Sequence, residues 1–148
     1  MHAVHNSPLI AALVSMILAQ VIKVPLNLFI RRLWSPALAF STGGMPSSHS
    51  AAAVSLSVSI GIVNGFSSSL FAIAAVVCAI TMYDAAGIRR HAGIHAALLN
   101  RITYNLSEMT KGETAETHLK ELLGHRPVEV LAGLILGMIT SYVLHYLG

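Results

Sequence analysis

Four stretches of the chain consist almost entirely of apolar and small residues, and polar segments separate them. They cover approximately residues 8–30, 48–63, 70–88 and 128–147. About 20 helical residues cross the hydrocarbon core of a bilayer, so each stretch predicts a membrane-spanning helix. Lys23 and Pro25 interrupt the first stretch, which predicts a kink or an early end there. The second stretch is short and polar for a span, which predicts a position surrounded by the other helices.

A polar excursion over residues 89–127 separates the third and fourth predicted spans. From Gly87 to Leu106, apolar residues recur at helical spacing with arginines among them. This pattern predicts an amphipathic helix that lies along the membrane surface or folds back onto the bundle. Gly65, in a turn rich in serine, predicts that the second and third spans are antiparallel neighbours.

Small residues recur every four positions in two of the predicted spans. Ala51, Ser55 and Ser59 form such a series in the second span, and the fourth contains Gly133-x-x-x-Gly137. Both patterns allow membrane helices to approach closely. The fold class predicted is therefore all-α: an integral membrane helical bundle with about four transmembrane spans, plus a cytoplasmic amphipathic helix, in a single domain over residues 1–148.

Composition and charge placement agree with this class. The chain is 55% hydrophobic and 10% charged, against about 25% charged in soluble domains. All nine Lys and Arg residues lie near the end of the first span, just after it, or between the third and fourth spans. Because positive loops stay cytoplasmic, we expect both termini to face outward, in a plasma (inner) membrane. The net charge of +3 suits anionic lipid head groups, and the scattered aromatic residues argue against a nucleic-acid partner.

The segment Met45-Pro46-Ser47-Ser48-His49 opens the second span. A proline is pre-organised for a helix start, and Ser47 and Ser48 can cap free backbone N–H groups. Those N–H groups and the helix dipole favour a bound phosphate. His49 lies beside this position and can carry a proton near neutral pH. The segment therefore predicts phosphoryl-transfer chemistry.

A second histidine opens the fourth span. Glu129 follows His125 by four positions, which places both on one helical face. A carboxylate that accepts the imidazole Nδ1–H leaves Nε2 with a lone pair, the form required for nucleophilic attack. Asp84 and the pair Arg89–Arg90, at the end of the third span, reach the same membrane level. This hypothesis requires the rings of His49 and His125 to lie within about 10 Å of each other, so that both can contact one anion.

These motifs carry a family resemblance. Pro46-Ser47-Ser48-His49 resembles the Pro-Ser-Gly-His signature of the type 2 phosphatidic acid phosphatase and vanadium haloperoxidase superfamily. The segment from His125 to Gly133 resembles the last motif of that superfamily. With Gly43-Gly44-Met45 and the segment from Tyr83 to Arg90, the whole chain looks like the small divergent branch described as acid phosphatase/vanadium-dependent haloperoxidase-related.

The resemblance implies roles for individual residues. His125 would attack phosphorus and form a phosphohistidine, with Glu129 orienting it. His49 would protonate the leaving alkoxide and later help to activate water. Ser47 and the backbone N–H groups near Ser48 would hold phosphate oxygens. The resemblance implies no metal and no cofactor, since N–H dipoles and cations can meet the charge of the transition state.

Two arginine positions of the superfamily motifs differ in this chain. In the last motif, the position of the arginine is occupied by Leu119, and Lys120 is adjacent. In the first motif, which begins at Lys23, the position of the arginine is occupied by Ile30. The cations that could contact the phosphate instead are Lys23, Arg31, Lys120, Arg89, Arg90 and Arg126. A lysine offers a point charge rather than the two-pronged contact of an arginine.

The sequence thus favours a metal-independent phosphatase that hydrolyses a lipid phosphate monoester, such as phosphatidate or phosphatidylglycerophosphate, at the cytoplasmic face. The alternative is a catalytically lapsed protein that binds phospholipid head groups or serves as a membrane scaffold. Transport through the hydroxyl-rich second span ranks last, because four short spans leave little room for a pathway.

Each candidate residue also has a plain structural interpretation. His49 could be an interfacial helix-start residue, and His125–Glu129 an ordinary hydrogen-bonded pair. Asp84 could pair with Arg89 or Arg90, which could themselves be membrane anchors, while Lys23 and Arg31 could be topology signals alone. His91 and His95 share a helical face and could bind a metal, but the sequence shows no third ligand, so no metal site is predicted.

Overall fold

The computed structural model describes residues 7–32, 44–110, 119 and 124–147. In this part of the chain all regular structure is helical, which confirms the predicted all-α fold class. The helices are α1 (Ser7–Arg31), α2 (Ser48–Asn64), α3 (Ser69–Ala86), α4 (Ile88–Thr110) and α5 (Pro127–Leu147). Three helical stretches are long and apolar enough to cross a membrane: Ser7–Phe29, Ser69–Asn105 and Pro127–Leu147.

Helix α2 lies at the centre of the bundle and packs against α1, α3 and α5. Its 17 residues give a length of about 26 Å, slightly short of the hydrocarbon thickness. No residue from Ser50 to Ile62 is exposed, and the serines of the helix are buried with its apolar residues. The other three helices therefore separate this polar helix from lipid, as its composition predicted.

The seam between α2 and α5 consists of small residues in register. A Cβ atom added at Gly133 would overlap the carbonyl oxygen of Ser47, and one at Gly137 would lie 2.5 Å from the carbonyl oxygen of Ala51. One turn further, the Ser141 hydroxyl donates to the Ser55 carbonyl at 2.7 Å. The Gly-x-x-x-Gly pattern therefore does allow close approach, and the two helices run parallel from a common starting level.

Helix α1 packs on α2 with a buried stripe of residues at every fourth position. The stripe consists of Ala11, Ser15, Ala19 and Lys23. The predicted early end of the first span is wrong, because α1 continues through Pro25 to Arg31. Proline is tolerated inside membrane helices since neighbouring helices and side chains can satisfy the backbone groups that it frees.

The turn between α2 and α3 is tight, as the sequence predicted. Gly65 adopts a φ of +89°, a backbone conformation that residues with a Cβ atom rarely adopt. Ser68 then caps α3, because its hydroxyl accepts the backbone N–H of Phe71 at 3.2 Å. The same hydroxyl donates to the Gly65 carbonyl at 2.7 Å. The turn places α2 and α3 side by side and antiparallel.

Gly87 separates α3 from the amphipathic helix α4. Its amide closes the last turn of α3 by donating to the Tyr83 carbonyl at 2.9 Å. Helix α4 then runs from Ile88 to Thr110, four residues beyond the predicted end at Leu106. Among the described helices, α4 packs only against α3, so the alternative in which it folds back onto the bundle is not what the structure shows.

Candidate functional site

The site end of the bundle is where α1 and α3 finish and where α2 and α5 begin. Two backbone hydrogen bonds connect these segments. The Ser47 amide donates to the Glu129 carbonyl at 2.9 Å, and the His125 amide donates to the Ala85 carbonyl at 3.0 Å. The residue before α2 is therefore attached to the first turn of α5, and the segment before α5 is attached to the last turn of α3.

Ser47 is the N-cap of α2, and its side chain has a structural task. Its hydroxyl accepts the Ser50 amide at 3.4 Å and the Ser50 hydroxyl at 3.1 Å. Pro46, joined to Met45 by a cis peptide bond, precedes the cap instead of occupying the first helical position. Ser47 and Ser48 are both buried, so contact with a phosphate would use the helix start more readily than their hydroxyl groups.

Glu129 organises the beginning of α5. Its Oε2 accepts the backbone N–H of Arg126 at 3.2 Å, the carboxylate half of a capping box in which Arg126 is the N-cap. The same oxygen lies 3.0 Å from His125 Nδ1. His125 therefore lies just before the helix, and not on its face as the spacing predicted, although the predicted pair forms.

The two ring nitrogens of His125 have different surroundings. A neutral imidazole with its proton on Nδ1 donates to Glu129 and leaves Nε2 as an acceptor. His125 Nε2 is buried, yet it has no hydrogen-bond partner in the part of the chain that the structure describes. An unsatisfied buried polar atom is costly, about 1–3 kcal/mol, so it indicates either strain or a functional role.

His49 lies close to the His125 ring, in the first turn of α2. The centroids of the His49 and His125 rings are 6.5 Å apart, and the ring planes are inclined by 57°. His49 is exposed whereas His125 is buried. The structure thus brings together the two imidazoles that the sequence singled out, within reach of one small anion.

Lys23 reaches the site from α1. Its side chain is only 2% exposed, and its ammonium group interacts electrostatically with the Glu129 carboxylate. A charge buried in a membrane helix is costly unless it is paired, and such residues usually have a function. The position of Lys23 therefore favours a role in the site over the interpretation as a topology signal alone.

The interaction between Lys23 and Glu129 is testable by a double-mutant cycle. Lys23→Met should destabilise the bundle, and its effect should be coupled to that of Glu129→Gln by about 0.5–3 kcal/mol, because the ammonium group interacts electrostatically with that carboxylate. The melting temperatures of Lys23→Met, Glu129→Gln and the double variant, measured in detergent, test this expected coupling. The double variant should be clearly less destabilised than the sum of the single changes. Strict additivity would show that the two charges are not coupled.

Two helix N-termini add to the positive potential of the site. Helices α2 and α5 begin side by side and run parallel, so the positive ends of their dipoles lie at the same level. First-turn amides at such positions bind anions well. They lie at the same end of the bundle as the His49–His125 pair.

The remaining predicted site residues lie around this centre or outside the described part. Asp84 is half-buried next to Ala85, and Arg90 is exposed in the first turn of α4. Lys120 and the side chains of Arg31 and Arg89 lie outside the described residues. Leu119 is bound through its backbone to the Asn100 side chain, with hydrogen bonds of 2.9 and 3.0 Å. No group of three His, Cys, Asp or Glu side chains suited to a metal occurs among the described residues.

Sequence reasoning missed the Ala85 carbonyl, which holds the His125 backbone, and the close approach of Gly133 to Ser47. A backbone acceptor leaves no residue signature. Gly133 did carry a signal, since Gly-x-x-x-Gly predicts close packing, but nothing in the pattern identified its partner.

The fold and the site define a helical membrane protein with a histidine pair at one end of its bundle. The chain belongs to the Divergent PAP2 family, whose sequence profile matches residues 4–140. It is 41% identical over 155 residues to the uncharacterized membrane protein YuiD of Bacillus subtilis (strain 168), and the match covers 99% of this chain and 98% of that relative. No solved structure matches the chain significantly. The expected family resemblance is thereby confirmed.

Proposed function

We propose that the protein is a membrane phosphatase that hydrolyses a lipid phosphate monoester through a phosphohistidine intermediate. The observation that carries the proposal is the state of His125: Nδ1 is held by Glu129 at 3.0 Å, while the buried Nε2 has no partner in the described part of the chain. This arrangement fits a nucleophile whose lone pair is kept for the substrate.

In the first step, His125 Nε2 attacks phosphorus and the bond from phosphorus to the lipid oxygen breaks. Protonated His49 donates its proton to the departing alkoxide, which leaves as the lipid alcohol. In the second step, His49 accepts a proton from water as the water oxygen attacks phosphorus. The P–N bond then breaks, inorganic phosphate leaves, and both histidines return to their starting states.

The surrounding charges stabilise the transition state. The N-termini of α2 and α5 direct amide dipoles at the phosphate, and Lys23 lies close to Glu129. The sequence predicts further positive charge from Arg31, Arg89 and Lys120, whose side chains lie outside the described residues. Such pre-organised donors stabilise developing negative charge without any metal ion.

The membrane setting supports a lipid substrate. The site lies where four helices begin or end, so a head group can enter from the aqueous side while acyl chains stay in the bilayer. We assign this end to the cytoplasmic leaflet because the basic residues are concentrated there. Phosphatidate and phosphatidylglycerophosphate are substrates with the required monoester. Because Nε2 is shielded from solvent, the substrate must displace the group that covers it.

The proposal is tested by phosphate release from purified protein in nanodiscs containing a chelator. We expect turnover of phosphatidate or phosphatidylglycerophosphate and inhibition by vanadate, which imitates pentacoordinate phosphorus. A diacylglycerol pyrophosphate and a water-soluble sugar phosphate serve as controls for the monoester and lipid requirements. Absence of turnover with every lipid phosphate would overturn the proposed activity.

A second candidate is a lapsed member of the family that binds lipid phosphate without hydrolysing it. It is favoured by Leu119, which stands at a motif position otherwise occupied by arginine and whose backbone is bound to Asn100. Vanadate separates the two candidates. A hydrolase should bind vanadate at the His49–His125 pair, whereas a lapsed protein should bind phosphatidate in a flotation assay without releasing phosphate.

Glu129→Gln separates the chemical role of Glu129 from its capping role. Glutamine also serves at this position of a capping box, so α5 should fold and the protein should keep its helical circular dichroism spectrum. Phosphate release should fall by about 10²–10⁴-fold, because the imidazole loses the carboxylate that fixes its tautomer and stabilises its positive charge. Unchanged turnover with intact folding would remove Glu129 from the mechanism.

A further inference from the structure

A groove of about 570 Å³ lies at the corner between α3 and α4, outside the proposed active site. Tyr83, Gly87, Ile88, His91 and His95 line it together with two alanines. Tyr83 and Gly87 lie on the opposite side of α3 from Ala85, whose carbonyl holds the His125 backbone. The groove therefore faces away from the histidine pair.

The groove continues along α4 as an exposed apolar face. Ile88, Leu98, Leu99 and Ile102 are each more than half exposed, and their spacing places them on one side of the helix with His91 and His95. Within the described part of the chain, α4 packs only against α3. No described helix covers this face.

The apolar face is continuous with the lipid-facing surface of α3. Ile73, Val76, Ile80 and Tyr83 form one stripe along that helix, and each is more than half exposed. Because α3 is part of a stretch that is apolar enough to cross a membrane, this stripe faces acyl chains. The stripe reaches the groove at Tyr83. Acyl chains that cover α3 can therefore also contact the first turns of α4.

Two basic residues flank the apolar face. Arg90 and Arg101 are both exposed, and a separation of eleven residues places them on the same side of the helix. Tyr104, also exposed, lies on the opposite side of the helix from Ile102. Apolar and basic residues in this arrangement are typical of helices that bind an anionic lipid surface.

We propose that α4 is an interfacial helix that binds anionic phospholipids at the site end of the bundle. Acyl chains fill the corner groove and cover Leu98 and Ile102, while the lipid phosphates contact Arg90 and Arg101. This lipid site is separate from the active site, and the proposal does not depend on phosphatase activity.

Site-directed spin labelling in nanodiscs tests the position of α4. In a Cys78→Ala background, which removes the one cysteine, single cysteines replace Leu98, Ile102 and Tyr104, and Ile80 in α3 provides the lipid-facing reference. Labels at Leu98 and Ile102 should be more accessible to oxygen than to a water-soluble nickel chelate, as at Ile80. The label at Tyr104, which is exposed on the opposite side of α4 from Ile102, should show the reverse order.

Two outcomes would overturn the lipid assignment. Preferential access of the nickel chelate at Leu98 and Ile102 would place this face in water. Low access of both reagents, with magnetic broadening between labelled molecules, would show that a second copy of the chain covers it.

The charge requirement is tested by lipid composition. Immersion of the Ile102 label should be deeper in discs that contain phosphatidylglycerol than in discs of phosphatidylcholine alone. Arg90→Gln with Arg101→Gln should abolish this difference, and high salt should reduce it in the parent protein. A difference that survives the double substitution would exclude the two arginines as the anionic-lipid contacts.

Discussion

His125→Ala should eliminate phosphate release, with a loss of about 10³-fold or more in kcat, because it removes the proposed nucleophile itself. It should also abolish covalent labelling of the protein by a lipid carrying radioactive phosphate. The reaction should be quenched rapidly and without acid, because the phosphorus–nitrogen bond of the labelled histidine is labile in acid. His49→Ala should slow turnover but still allow a labelled protein to form, because His49 transfers protons and does not bond to phosphorus.

His145→Ala is the matched control for this prediction. His145 is an exposed histidine at the opposite end of α5, where its ring makes an edge-to-face contact with Tyr146, and its loss should leave turnover and labelling unchanged. Turnover that survives in His125→Ala would refute the nucleophile assignment. Labelling that survives there while it disappears in His49→Ala would instead make His49 the nucleophile.

Gly133→Ala should be strongly destabilising. The added methyl group would overlap the Ser47 carbonyl oxygen and approach Ser50 Cβ to 3.0 Å. Because a backbone atom cannot move aside alone, α2 and α5 must separate. This should lower the free energy of unfolding by about 1–3 kcal/mol. The same movement would strain the Ser47–Glu129 backbone hydrogen bond, so phosphate release should fall along with the melting temperature in detergent.

Gly61→Ala provides the comparison. Its added methyl group would lie 2.5 Å from an atom of the Phe66 ring, which is the end of a side chain that is itself more than half exposed. The ring can rotate away, so this substitution should lower the melting temperature only slightly and leave phosphate release intact. Equal destabilisation by both alanines would mean that the α2–α5 seam is less rigid than its geometry indicates.

Much of the fold was predictable because a bilayer imposes simple requirements. Hydropathy and length located the helices, and the four-residue spacing of small residues predicted close packing, although not which helices would meet. The end of α1 was not predictable from Pro25, since neighbouring helices decide whether a membrane helix continues through a proline. The extent of α4 beyond Leu106 was missed because its last residues lack an apolar pattern.

The candidate site was predictable to a lesser degree. The spacing of His125 and Glu129 predicted their hydrogen bond, although His125 precedes the helix, because a side chain at the third helical position can reach back past the N-cap. The direction of Lys23 and the contact with the Ala85 carbonyl depend on how separate helices pack. Such contacts between distant segments leave no periodic signal in a sequence.

The enclosed position of α2 has a consequence for biogenesis. A helix with so many hydroxyl groups gains little from contact with acyl chains, and its shielding depends partly on α5, which the ribosome delivers only after α3 and α4. Until α5 arrives, α2 needs another temporary shield, either the translocation machinery or its hairpin partner α3. Catalytic competence should therefore appear late in synthesis, at the moment when α5 docks and the second imidazole reaches the first.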